Sequence, residues 1–187
     1  MPVTDIGIVN QAFVHIGEST VASLSGGLKR QEVASALYSP IRQALLSEFN
    51  WRFATFTQAL AQITGAPANT KYTKQFALPT DPVLLKVQFT NPNGNHAIES
   101  NRLLTSANSV LLTYTADADE DIMPAYFSFL LGLRCAKEFA MPITKNTARA
   151  NKAKDEYDDY LPLAQYADAS QQRNVEIQDQ PFVDCRS

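Results

Sequence analysis

Residues 79–94 read Pro79-Thr80-Asp81-Pro82-Val83-Leu84-Leu85-Lys86-Val87-Gln88-Phe89-Thr90-Asn91-Pro92-Asn93-Gly94. Their hydrophobic period is two. Val83, Leu85, Val87 and Phe89 alternate with Leu84, Lys86 and Gln88, which is how a strand with one face on a core reads. Pro79 and Pro82 bracket the start, and Asn93-Gly94 is a strong hairpin signal. Ala97–Glu99, Arg102–Leu104 and Val110–Thr115 read as further short strands, separated by turns at Ser100-Asn101 and Ser106-Ala107-Asn108. A small antiparallel sheet is expected over about residues 72–115.

On both sides of this stretch the period lengthens. Thr4 is placed to cap a helix over about 4–17, with Ile6, Val9, Phe13 and Ile16 on one stripe and Gly17 at its end. A second helix is expected over about 28–49, with Val33, Leu37, Ile41, Ala44, Leu45 and Phe49 at helical spacing. Pro40 predicts a kink or break near Ala36–Ser39. Asn50-Trp51-Arg52-Phe53-Ala54 follows, dense in aromatic area and placed to anchor the core. After the acidic turn Asp117–Asp121, a third helix over about 123–140 carries apolar residues round a wide face and should be the most buried. Pro142 is expected to stop it. A fourth runs over about 144–167, with Pro162 disturbing its last turns. The reading is α+β: an antiparallel bundle of about four helices with a small antiparallel β-sheet insertion, in one domain over 1–169. Residues 170–187 are polar, lack a helical period, and read as an extended C-terminal arm.

The bulk chemistry narrows the function. The 187 residues are 45% hydrophobic and carry 16 Lys+Arg against 19 Asp+Glu, a net charge of −3. That balance lacks the basic stripe of a dedicated DNA-binding surface. Met1-Pro2-Val3-Thr4-Asp5 shows no basic region before an apolar stretch, so no signal peptide is expected, and no run approaches a membrane span. Cys135 reads as a buried thiol and Cys185 stands near the end, neither in a disulfide or zinc pattern. His15 and His96 lack partners at metal spacing, and His15 reads as a packed or capping residue. Ser19, Ser23 and Ser25 have no nucleophile-elbow context, and there is no phosphate-binding glycine loop. No cofactor and no enzymatic activity are expected.

Several segments resemble one family. Leu37-Tyr38-Ser39-Pro40-Ile41-Arg42-Gln43-Ala44-Leu45-Leu46 and Phe49-Asn50-Trp51-Arg52-Phe53-Ala54 resemble the helix and Trp-x-Phe-Ala signature of the tail tubular protein A family. Tyr72 with Phe76-Ala77-Leu78-Pro79-Thr80-Asp81 is similar to its strand entry, although Pro82 departs from the apolar or Cys residue usual there. Leu112-Thr113-Tyr114, then Leu130–Ile143 with its Pro142-Ile143, follow in the family's order, and Asn10-Gln11-Ala12 with His15-Ile16-Gly17 fits its opening helix. The resemblance covers most of residues 5–168.

What the resemblance implies is a head-to-tail adaptor of a short-tailed bacteriophage. Such a protein is assembled in the host cytoplasm and sits in the neck of the virion tail. A ring of about twelve copies would join the portal protein above to the tail nozzle protein below. DNA would pass through the ring without specific binding, and no membrane is involved. The alternatives are a connector of a long-tailed phage and a tail-associated peptidoglycan hydrolase, with acids of Asp117–Asp121 as its carboxylate pair. A host α+β binding module is a third class.

Three surfaces are candidates for assembly. On the fourth helix Lys145, Arg149, Lys152 and Lys154 precede Asp155, Glu156, Asp158 and Asp159. This order opposes the helix dipole, and it suits either a solvated face or a head-to-tail subunit contact. In the arm, Val175, Ile177, Phe182 and Val183 read either as part of a loose terminus or as anchors docking on the portal. The polar loop with Asn91, Asn93 and Asn95 is a hairpin turn that, by analogy, would face the nozzle.

Overall fold

A computed structural model describes residues 3–171. The fold is α+β, with four helices and two small antiparallel sheets among the described residues. The helices are α1 (Asp5–His15), α2 (Lys29–Glu48), α3 (Ala125–Thr144) and α4 (Thr147–Ala169). Thr4 caps α1 by accepting from the Gly7 N–H at 3.1 Å. Gly17 follows the helix at φ 73°, a left-handed position where a Cβ would be strained.

Pro142, expected to stop the third helix, does not, and Pro40 kinks the second at most and does not break it. Pro40, Pro142 and Pro162 all lie inside continuous helices. Each removes the N–H that would have bonded the carbonyl four residues earlier, at Ala36, Glu138 or Asp158. All six of these residues are exposed, so water can take up the freed carbonyl and the helix continues. Lys145, left-handed at φ 51°, and Asn146 then separate α3 from α4. Arg134–Tyr157, Phe129–Tyr160 and Tyr126–Asp168 contacts show that α4 returns antiparallel along α3.

α3 is the central helix, in contact with α1, α2 and α4. Its buried residues include Phe127, Leu130, Leu131, Cys135, Ala136, Phe139 and Ala140. Gly132 lets α1 approach closely: a Cβ there would meet the Gln11 side chain at 2.9 Å. On α2 the buried stripe is Ala34, Tyr38, Ile41 and Leu45, while Val33 and Leu37 are only half-buried, so the helix is turned slightly from the expected face. Trp51 is fully buried among Phe49, Phe53 and Phe127, with ring centroids at 5.1, 6.4 and 5.0 Å. Its Nε1–H donates to the Leu45 carbonyl at 2.9 Å, satisfying the one polar atom of the ring. Asp168, also buried, accepts from the Arg52 N–H and the Tyr126 hydroxyl, at 3.1 and 2.8 Å, and ties the end of α4 to the start of the β region.

The β region is larger than expected. It begins with β1 (Thr55–Ala59), β2 (Gln62–Ile63) and β3 (Lys74–Ala77), and continues with β4 (Leu84–Asn91), β5 (His96–Glu99), β6 (Arg102–Thr105) and β7 (Leu111–Ala116). The strands form two sheets, ordered β1-β7-β4 and β2-β3-β6-β5. Asn93-Gly94 is therefore not a hairpin: β4 pairs with β7, and the chain crosses to the other sheet before β5. The tight hairpin is at Ser100-Asn101, both left-handed at φ 46° and 60°. Phe76, Leu103, Leu112 and Tyr114 fill the space between the sheets.

The expected alternation of β4 also fails. Register shifts between Leu84 and Lys86, and again between Val87 and Phe89, each insert a residue. A bulge moves the following side chains to the opposite face. Leu84 and Val87 thus join the inter-sheet core, Leu85 packs on the helical core, and Val83 and Phe89 are exposed.

Candidate interaction surface

α4 starts where Asn146 Oδ1 accepts from the N–H groups of Ala148 and Arg149, at 2.9 and 3.2 Å. Ala153, Tyr157, Ala164 and Asp168 form its buried stripe. The remaining faces hold the segregated charges except Lys145, which was expected on this helix but caps the end of α3, and most of these charges are engaged within the subunit. Arg149 donates to the Ile16 carbonyl at 3.1 Å and lies 3.9 Å from Glu18. Glu156 pairs with His15 Nδ1 at 2.9 Å and with Lys152 at 3.6 Å. Asp158 pairs with Lys154 at 2.9 Å and with Lys137 at 3.6 Å. The Lys154 hydrogen bond holds the Asp158 carboxyl below its ordinary range and raises the lysine in turn. Lys145, Asp155 and Asp159 are exposed and make no ion pair with any described residue.

Beside these charges lies an open groove of about 360 Å³ between α1, α3 and α4. Phe129, Tyr160 and Leu163 form its apolar lining, and His15, Glu156 and Asp159 its rim. Phe129 meets Tyr160 edge-on at 4.7 Å and His15 at 5.9 Å. Leu163 is 61% exposed and the neighbouring Tyr166 76%. Scattered exposed apolar side chains are ordinary, but a contiguous set with a polar rim marks a contact surface. The groove was readable in principle. Tyr160, Leu163 and Tyr166 form a second apolar stripe on a helix whose first stripe already meets α3.

A second cleft, of about 530 Å³, opens beside the acidic turn. Arg42 of α2 holds that turn, with Nη2 2.9 Å from Asp117 and Nη1 2.7 Å from Glu120. The Tyr38 hydroxyl donates to Glu120 at 2.8 Å, and Gln43 donates to Asp117 at 2.9 Å. Burial pushes the Tyr38 hydroxyl far up, and its bond to Glu120 adds to this. Burial would also raise Glu120, but the bonds from Tyr38 and Arg42 outweigh it and hold the carboxyl below its ordinary range. Arg42 is raised because Glu120 and Asp117 outweigh its own burial. A general acid for glycan cleavage needs the opposite, a carboxyl held protonated by its surroundings.

The other predicted residues fall elsewhere. Asn91 ends β4 opposite Leu111, while Asn93 and Asn95 are exposed in the crossover between the sheets. Val175, Ile177, Phe182 and Val183 lie outside the described residues. His15 has an acidic neighbour in space, Glu156, that sequence spacing hid. Burial raises the Cys135 thiol, as an enclosed cysteine requires. Among the described residues no three His, Cys, Asp or Glu side chains converge as metal ligands, and no helix is long and apolar enough to cross a membrane. No model of a known protein family matches the chain, and no curated protein is significantly similar to it.

Proposed function

We propose that this chain is a structural, non-enzymatic adaptor subunit of a tailed-phage virion. It would form a ring of about twelve copies between the portal and the tail nozzle, around the DNA channel. In this reading the helices are a bundle, the paired sheets its insertion, and the residues after 169 a portal-docking arm. The supporting observation is the apolar groove on α1, α3 and α4, with the unengaged Asp159 at its rim. An assembling subunit would bury such a face against its neighbour. The ordered resemblance over residues 5–168 supplies the particular assembly. The bonds from Tyr38 and Arg42, which hold the Glu120 carboxyl below its ordinary range, weigh against Glu120 as the general acid of the hydrolase alternative.

Electron microscopy of the protein mixed with a portal ring tests the proposal. The expected image is a second ring stacked on the portal. Portal rings that stay bare would overturn it. Deleting Ser170–Ser187 should abolish stacking while leaving the circular-dichroism spectrum helical; undiminished stacking would remove the arm from the account.

A further inference from the structure

A closed ring needs two different surfaces on each copy, one at each end of the contact. The groove is one. The structure carries a second face of matching chemistry, exposed at Thr57, Ala59, Phe89, Asn91 and Leu111. In the sheet β1-β7-β4, Leu112, Tyr114 and Ala116 point into the inter-sheet core. Leu111, Thr113 and Thr115 therefore point the other way, although Thr115 is fully buried and, like Thr55, is bonded by the Gln88 amide. The pairings add Thr55, Thr57 and Ala59 from β1, and Lys86, Phe89 and Asn91 from β4, to that outer face.

This outer face carries no carboxylate, and its one charged residue is Lys86, which makes no ion pair with a described residue. Phe89 and Leu111 stand out from it at 50% and 40% exposure. Phe89 is there because of the bulge after Val87, which turns it away from the core. The groove has the complementary character, an apolar lining of Phe129, Tyr160 and Leu163 beside the unpaired Asp159.

We propose that the outer face of the β1-β7-β4 sheet of one copy docks in the α1/α3/α4 groove of a second copy. Phe89 and Leu111 cover Phe129 and Leu163, and Lys86 meets Asp159. The contact is head-to-tail, so each copy keeps a free groove at one end and a free sheet face at the other. The inference rests on the adaptor reading only for the need of a copy-to-copy contact.

Cysteine cross-linking of the full chain tests it. Leu163→Cys and Phe89→Cys are made separately, each with Cys185→Ser; Cys135 is buried and silent. With a short bis-maleimide, the mixture should give a cross-linked dimer containing one of each variant, and either variant alone should not. No mixed dimer, or an equal yield from one variant alone, would overturn the proposal. Sedimentation gives a second reading. Phe89→Arg and Leu163→Arg should each weaken self-association about tenfold or more. Lys86→Glu should weaken it too, and Asp159→Lys should restore the Lys86→Glu protein. The two proposals can fail separately. Mixed dimers with bare portals would remove the adaptor role and keep this contact. Normal rings of Phe89→Arg on portals would keep the adaptor role and remove the contact.

Discussion

Trp51 and Tyr114 are both fully buried aromatic residues, and they sit in two different kinds of core. Trp51 is enclosed by three aromatic rings and by side chains from α2 and α3. Tyr114 lies between two thin sheets, with Phe56 beside it at 6.2 Å and its hydroxyl donating outward to Gln58 at 3.5 Å. The helical core draws on all four helices, whereas the inter-sheet core holds a short set around Phe76, Leu103 and Leu112. Apolar burial scales with area removed from water, so the helical half should carry most of the stability. The sheet half is tied to the helices by Leu85 packed on the helical core and by polar bonds, chiefly those of Arg42 and Asp168.

The largest expected effect tests that asymmetry. Trp51→Ala should cost about 3–5 kcal/mol, because it removes the centre of the aromatic cluster and orphans the Leu45 carbonyl. Leu103→Ala, in the inter-sheet core, should cost about 3 kcal/mol. Urea unfolding followed by circular dichroism measures both. If the halves are coupled, each variant shows one transition at a lower midpoint. Should Leu103→Ala produce a separate early transition instead, with the helical signal unmoved, the sheets unfold on their own and do not depend on the helices.

The helices were legible because their burial is decided locally: α3 was expected to be the most buried helix from its own spacing, and it is. The sheets were not, because strand pairing is decided by distant partners. Asn93-Gly94 has hairpin chemistry, yet β4 takes β7, about twenty residues further on, and β5 takes β6. The two bulges in β4 leave no mark in a period-two pattern. The candidate surface was half legible. Segregated charge on α4 was visible, but its partners His15, Glu18 and Lys137 come from elsewhere in the chain, so spacing could not show which charges were already taken.

The tie between the halves should matter less than either core. Arg42→Ala leaves Asp117 and Glu120 facing each other without a cation, with side chains only 12% and 19% exposed. A cost of about 2 kcal/mol is expected. The same tie has a pH signature. Glu120 is held below its ordinary range in the fold, so its stabilising contribution is fully present above about pH 4.3. That contribution is lost as pH falls through the folded value. Glu120→Gln should therefore be less stable than the parent at pH 7, and the gap should close on acidification. A gap that stays constant from pH 7 to pH 3 would show that the charge of Glu120 contributes nothing.

The smallest effect lies in the part of the sheet region that local chemistry does decide. Ser100 and Asn101 connect β5 to β6 with both residues left-handed, at φ 46° and 60°. Asparagine tolerates that region, whereas serine pays a steric cost because its Cβ approaches the following carbonyl. Ser100→Gly removes the clash, worth about 1–2 kcal/mol for an ordinary residue. It also gives the unfolded chain more freedom, a loss of about 0.5–1 kcal/mol. The difference should be a gain of about 0.5 kcal/mol, since Ser100 is exposed and its side chain has no packing to lose. Asn101→Gly should gain less, because less strain is relieved there. Hydrogen exchange at the paired amides of Glu99 and Arg102 reads this locally. Faster exchange in Ser100→Gly than in the parent would mean that the turn is not strained at Ser100.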